Sequence, residues 1–254
     1  MLAVRALLFN VLFFTATTVL SISYVPLMAL PRPVLIRAVE FWSWVILFLL
    51  RHVVGLRYEL RGEEHLTGDS VLVASKHQSA WETISFCALL QGPAIVLKKE
   101  LLRIPIWGWL AWRCGNIRVD REAGAKALRV MVDDAMLALA ERRPIVIFPQ
   151  GTRTPPGTRR PYLPGVAALY GSLGVPVVPV ALNSGLFWGR RSFLKRPGTI
   201  TVEFLPPIPP GLKRRQFMRE LEECIETATR RLEQEAVNKF DVLLPEAEQP
   251  AQAD

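Results

Sequence analysis

A chain of 254 residues is long enough for one α/β domain with an appendage, and nothing in it forces a second globular unit. Half its residues are hydrophobic and its mean hydropathy is +0.24, high for a freely soluble protein. With 31 Lys and Arg against 23 Asp and Glu the formal charge is +8, which calls for an anionic partner; no basic arm, zinc-finger spacing or RNP-like pattern accompanies it, so a membrane is a better reading than nucleic acid.

The first element is apolar. From Ala6 to Leu30 there is no charged side chain, and only Asn10 and Pro26 interrupt the run. As a helix this stretch can cross a hydrocarbon core of about 30 Å. A second stretch, Phe41–Leu50, is too short to span alone, and extending it to Val34–Leu56 brings in Arg37, Glu40, Arg51 and His52. Trp42 and Trp44 suit an interfacial depth. Pro31-Arg32-Pro33 separates the two stretches and predicts a hairpin. A cleaved signal peptide fits poorly, because the apolar region is longer than an h-region and no clean Ala-x-Ala site precedes the second stretch. Arg32, Arg37, Arg51, Arg57 and Arg61 outnumber the single Arg5, which points the remainder of the chain to the cytoplasm. A hairpin lying in one leaflet and a membrane-crossing segment are both compatible with this pattern.

After Gly55 the texture changes to alternating strands and helices. Strands are predicted at Leu56–Gly62, Ser70–Ser75, Ala94–Leu97, Asn116–Asp120, Ile145–Phe148, Val175–Leu182 and Thr199–Phe204. Helices are predicted over Ala123–Arg142, Gly165–Leu173 and Leu212–Val237. The fold class is therefore α/β, a mixed, largely parallel sheet flanked by helices behind a two-helix membrane anchor. The expected organisation is an anchor at 1–55, an α/β domain at 56–240 and a disordered polar tail at 241–254.

In such sheets chemistry gathers in loops at the carboxyl ends of strands, and three polar motifs fall there. The first is Ser75-Lys76-His77-Gln78-Ser79-Ala80-Trp81-Glu82-Thr83. Mid-helix, residues five apart would sit about 140° apart. With His77 in the strand-to-helix loop and Glu82 in the first turn, the carboxylate can reach back to the ring and leave its other nitrogen free as a base. The second motif gathers Arg118, Asp120 and Arg121, with Lys98 and Lys99 after the preceding strand, a phosphate site if the cations converge. The third is Phe148-Pro149-Gln150-Gly151-Thr152-Arg153-Thr154. There Gly151 permits a tight turn against a ligand, while Thr152 and Arg153 offer a hydroxyl and a guanidinium. Cys87, Cys114 and Cys224 form no Cys-x-x-Cys pair; they read as buried thiols, with neither a disulfide framework nor a metal cluster. No Gly-x-Ser-x-Gly elbow is present, which argues against a hydrolase.

These motifs resemble those of the glycerolipid acyltransferase superfamily, specifically the 1-acyl-sn-glycerol-3-phosphate acyltransferases. His77–Glu82 resembles the family's His-x-x-x-x-Asp, Gly115–Arg121 its second block, Phe148–Thr154 its Phe-Pro-Glu-Gly-Thr-Arg-Ser block and Val175–Pro179 its apolar-Pro block. The chain departs from the pattern at Glu82, where the family has Asp, and at Gln150, where it has Glu. The resemblance implies that His77 takes the proton of an sn-2 hydroxyl, which attacks an acyl thioester, with Glu82 orienting the ring. It implies that Arg121 and Arg153, helped by Lys98 and the Gly151-Thr152 turn, hold the acceptor phosphate, with Gln150 and Pro179 supporting the motifs. It implies no metal and no bound cofactor, since acyl-CoA or acyl carrier protein is a co-substrate. The lysophospholipid acceptor and phosphatidic acid product would place the protein on a membrane, for a bacterium the inner one, facing the cytoplasm. Two alternatives stay open: an acyltransferase for another lysolipid, such as an ornithine-lipid precursor, and a non-catalytic lipid-binding protein on the same scaffold.

Overall fold

A computed structural model of the protein describes residues 1–66, 71–120 and 124–244. Two apolar helices come first. Helix α1 spans Leu2–Ser23; α2 spans Arg32–Leu49 and continues as a wide turn over Leu50–Val54. Gly55, at φ +81°, stops it, since that left-handed backbone suits glycine and commonly closes a helix. There follow β1 (Leu56–Arg61), β2 (Leu72–Ser75), α3 (Trp81–Leu89), β3 (Ala94–Lys98), α4 (Trp107–Arg113), β4 (Ile117–Val119), α5 (Gly124–Ala140) and β5 (Ile145–Ile147). The chain continues through α6 (Gly165–Leu173), β6 (Val177–Leu182), α7 (Ser184–Phe187), β7 (Gly198–Phe204) and α8 (Arg214–Lys239).

The seven strands form one sheet in the order β1-β7-β6-β2-β5-β3-β4. Every neighbouring pair is parallel except β6 and β7, so the sheet is mixed and largely parallel, as the sequence predicts. Strands β2, β5 and β6 are buried at every residue, the pattern of strands covered on both faces. Alternate side chains enter opposite layers. Val73, Val146 and Val178 pack with Ile46, Leu50, Trp81 and Phe86 from α2, its wide turn and α3. Leu72, Ala74, Ile145 and Val177 pack with Met131, Val166, Leu169, Phe217 and Ile225 from α5, α6 and α8.

Helix α2 is apolar on two sides for two reasons. Leu35, Ser43, Ile46, Leu47, Leu50 and Val54 face the domain, and the Ser43 hydroxyl donates to the Ile84 carbonyl at 2.6 Å. Phe41, Trp44 and Phe48 project from the opposite side, exposed, and stand at helical spacing of their own. Helix α1 lies against α2, tied by Trp42 Nε1 donating to Thr17 Oγ1 at 3.1 Å, and leaves Leu7, Leu8, Val11, Phe14, Val19 and Ile22 exposed. At its other flank Asn10 Oδ1 accepts from the buried Lys195 ammonium at 2.6 Å. Both helices are long and apolar enough to cross a membrane. Charges inside the second apolar stretch did not shorten it to Phe41–Leu50, because packing on the domain sustains a helix from Arg32 to Val54.

The first helix starts four residues before Ala6 and ends seven before Leu30, at Ser23; from β1 onward predicted boundaries shift by at most two residues. Ser70 and Ala123 lie outside the described residues, as does 245–254 of the expected tail; of its first residues, Val242 is buried in the core. Helix α4 lies outside the predicted helices; it starts two residues after Pro105 and holds Gly108 in its first turn. Pro179 sits inside β6 opposite Ala74. Its missing N–H costs little there: its carbonyl accepts from Leu205 N at 2.9 Å, so its nitrogen faces the irregular segment after β7.

Candidate active site

Because β6, β2, β5, β3 and β4 are parallel, their following loops open on one rim. Strands β6 and β5 flank β2, so the segments beginning at Ser184, His77 and Phe148 are neighbours. Strand β1 runs opposite to β2, so α2 also ends at this rim.

His77 leaves β2 and Glu82 occupies the first turn of α3. The imidazole Nδ1 lies 2.8 Å from Glu82 Oε1. That same oxygen accepts the backbone N–H of Gln78 at 2.6 Å and of Ser79 at 2.7 Å, while Oε2 accepts the Ser184 hydroxyl at 2.8 Å. An oxygen already receiving two N–H groups acts as acceptor toward the ring as well, so Nδ1 carries the proton and Nε2 presents its lone pair. Glu82 is fully buried. The α3 N-terminus and three donors besides the ring hold its charge there. The extra methylene of Glu folds the carboxylate back over its own N-terminal loop, which is how the longer acid keeps its histidine contact.

The third motif braces the first. The His77 ring stacks on Phe148 with centroids 4.1 Å apart. The backbone N–H of His77 donates to Gln150 Oε1 at 3.1 Å, and its carbonyl accepts from Thr154 N at 2.8 Å. Between them Gly151 adopts φ +67° and its N–H returns to the Phe148 carbonyl at 2.8 Å, making the tight turn the sequence predicts. The Thr152 carbonyl takes a long 3.4 Å bond from the Thr154 hydroxyl. Gln150 is buried and needs no charge for its contact with His77, since an amide oxygen accepts as a carboxylate does.

Arg153 lies close enough to the dyad for the Glu82 charge to act on it. Burial holds its guanidinium below the usual arginine range; Glu82 opposes that shift and Arg190 reinforces it. A half-buried cation that feels the charge of a second arginine is set up to receive an anion. Lys98 ends β3, separated from β2 by β5, is exposed, and pairs with Glu100 at 3.6 Å. Lys99 pairs with Asp120 at 2.6 Å and links the β3 and β4 ends of the rim. Arg121 lies outside the described residues. Cys87 sits on α3 with its Sγ donating to the Thr83 carbonyl, and burial pushes its thiol up to about 12. This is the inert thiol the sequence suggests.

Sequence reasoning missed Ser184 and Arg190. Ser184 begins right after β6, where the strand-end rule could have found it, and Arg190 opens the basic pair Arg190-Arg191.

Residues 57–183 match the family model described as Acyltransferase. A 1-acyl-sn-glycerol-3-phosphate acyltransferase of Pseudomonas aeruginosa is 36% identical over 168 residues, covering 66% of this chain and 65% of that protein. The 1-acyl-sn-glycerol-3-phosphate acyltransferase alpha of Homo sapiens is 30% identical over 168 residues, covering 65% of this chain and 59% of that protein. The chain thus spans somewhat under two thirds of the length of these curated relatives. The crystal structure of the 1-acyl-sn-glycerophosphate (LPA) acyltransferase PlsC from Thermotoga maritima superposes with a TM-score of 0.75 at 20% identity, covering 91% of this chain and 98% of that one, and so shares the fold.

Proposed function

The chain belongs to the Acyltransferase family, and from that premise we propose that it transfers a fatty acyl group from a thioester donor to the sn-2 hydroxyl of 1-acylglycerol-3-phosphate, giving phosphatidic acid. The observation that carries this reading is His77 with Nδ1 committed to a buried Glu82 and Nε2 presented at the rim beside Arg153.

In this reading Nε2 removes the hydroxyl proton as the oxygen attacks the thioester carbonyl. Glu82 stabilises the imidazolium that forms and fixes the tautomer, and the imidazolium then returns the proton to the departing thiolate. Arg153 and Arg190 bind the acceptor phosphate, with Arg121 assigned there on motif grounds and Lys98 serving the outer rim. No step is assigned to a metal or cofactor; acyl-CoA or acyl carrier protein arrives as co-substrate.

The hairpin lies in one leaflet, in this reading. Helix α2 packs on the domain from Leu35 to Val54, so carrying it across a bilayer would drag the polar domain surface into hydrocarbon. The exposed apolar side of α1 and the Phe41, Trp44 and Phe48 stripe instead meet lipid. The arginine distribution supports a cytoplasmic position for the domain.

The test is acyl transfer by the full chain in membranes, with lysophosphatidic acid as acceptor and each carrier type as donor, beside a panel of other lysolipids. Phosphatidic acid formation supports the reading. Transfer to a different lysolipid alone, or lysolipid binding with no transfer, overturns it.

A further inference from the structure

Behind His77 stands a second charged set that the proposed chemistry does not use. The Lys76 ammonium is 1% exposed and lies 2.9 and 2.7 Å from the two oxygens of Glu226 on α8. The Tyr162 hydroxyl donates to Glu226 Oε1 at 3.0 Å, and Gln150 Nε2 approaches that oxygen at 3.5 Å. Seven residues on, within about 20° of the same helical face, Glu233 accepts Gln78 Nε2 at 2.6 Å and Gly157 N at 3.1 Å. Gln78 Oε1 in turn accepts Gly185 N at 3.0 Å. The residues on either side of His77 are therefore each gripped by a carboxylate of α8. The backbone N–H of His77 itself is held by Gln150, whose far end points at one of those carboxylates.

We propose that Glu226 is a positioning residue for His77, and that Lys76, Gln150 and residue 226 form one charge-balanced unit that tolerates a single carboxylate, at 226 or at 150. This rests on the reading of His77 as the base. The buried ammonium needs one anion. Lys76 Nζ and Gln150 Nε2 both reach Glu226 Oε1, so a carboxylate placed at 150 would neighbour the ammonium too. With Glu at both positions, two carboxylates would face each other where an amide N–H now meets an oxygen, and the surplus charge would be relieved by moving the loop that carries His77. With Gln at both positions the ammonium loses its one hydrogen-bonded carboxylate, Glu233 acting on it only through space, and the loop moves again.

The experiment is the set Gln150→Glu, Glu226→Gln and the Gln150→Glu/Glu226→Gln double variant in the full chain. Three quantities are read: kcat and KM for lysophosphatidic acid, melting temperature, and the carbethoxylation rate of His77 by diethyl pyrocarbonate, followed by mass spectrometry. Each single variant loses roughly ten- to a hundredfold in kcat, the span of network couplings, with KM less affected and His77 carbethoxylated at an altered rate. The double variant recovers to within about fivefold in kcat and regains the parent's His77 rate. A double variant that melts like the parent yet stays as slow as the singles overturns the proposal, as does a folded single variant with parental kcat and His77 rate. Should Glu226→Gln fail to fold, Gln150→Glu set against the double variant carries the test; a folded Gln150→Glu with parental kcat and His77 rate overturns the proposal. If the parent itself transfers nothing to lysophosphatidic acid, the functional reading falls, while the His77 labelling still decides the positioning claim.

Discussion

Replacing Glu82 by Gln isolates the charge of the dyad from its geometry. The amide oxygen can take the place of Oε1 and still accept the N–H groups of Gln78 and Ser79 and the ring Nδ1–H. The amide nitrogen then meets the Ser184 hydroxyl, which can turn to accept. The tautomer and the fold are kept; the negative charge is lost. A Nδ1–Oε1 separation of 2.8 Å puts the charge centres about 4 Å apart, where an effective dielectric near 20 gives about 4 kcal/mol. If that energy acts only once His77 is protonated in the transition state, kcat falls by roughly 10³-fold. Stability should fall only by what a first-turn acid contributes, about 0.3–1 kcal/mol. The assay is steady-state transfer to lysophosphatidic acid at one pH, with melting temperature as the control. Glu82→Asp is the companion: it keeps the charge but draws it back by one bond of about 1.5 Å, so its rate should lie between the parent and Glu82→Gln. Turnover by Glu82→Gln within threefold of the parent, at matched melting temperature, would reduce Glu82 to a cap of α3 and refute the electrostatic argument.

His77→Ala should abolish transfer, by 10²–10⁴-fold on the usual scale of general-base catalysis, and leave melting little changed; near-parental turnover would eliminate it as the base. Arg153→Ala, and to a smaller extent Arg190→Ala, should raise the KM of the phosphorylated acceptor by about 1.5–3 kcal/mol in binding terms, and a raised donor KM instead would move the pair to the thioester site. Cys87, with its thiol pushed up to about 12, should resist alkylation at pH 8. Above pH 9 the unfolded chain releases a proton that the folded chain keeps, so stability should decline between pH 9 and 12, and Cys87→Ala should flatten that decline in pH-dependent denaturant titrations.

The sheet class and the dyad could be read from the chain because both are local: buried strands announce themselves in runs such as Ile145–Ile147, and His77 and Glu82 sit five residues apart across one strand end. What stayed hidden comes from sequence separation. Ser184 reaches Glu82 across 102 residues and Glu226 reaches Lys76 across 150, and no periodicity marks such a meeting. Glu226 and Glu233 each follow an apolar position, Ile225 and Leu232, so on a helix rich in charge they looked like the edge of a solvated face. The placement of β1 beside β7 is equally non-local, pairing the first strand with the last.

The way α1 and α2 lie along the domain has a kinetic consequence. In the proposed one-leaflet seating, Asn10 clipped to Lys195 and α2 ending at the rim of His77 hold the mouth of the site at one height against the bilayer surface. The proposed lipid acceptor would then be met by lateral diffusion in two dimensions, its effective concentration a mole fraction of the surface. Diluting mixed micelles with buffer would leave the rate untouched, whereas diluting them with inert detergent at constant bulk acceptor would slow it.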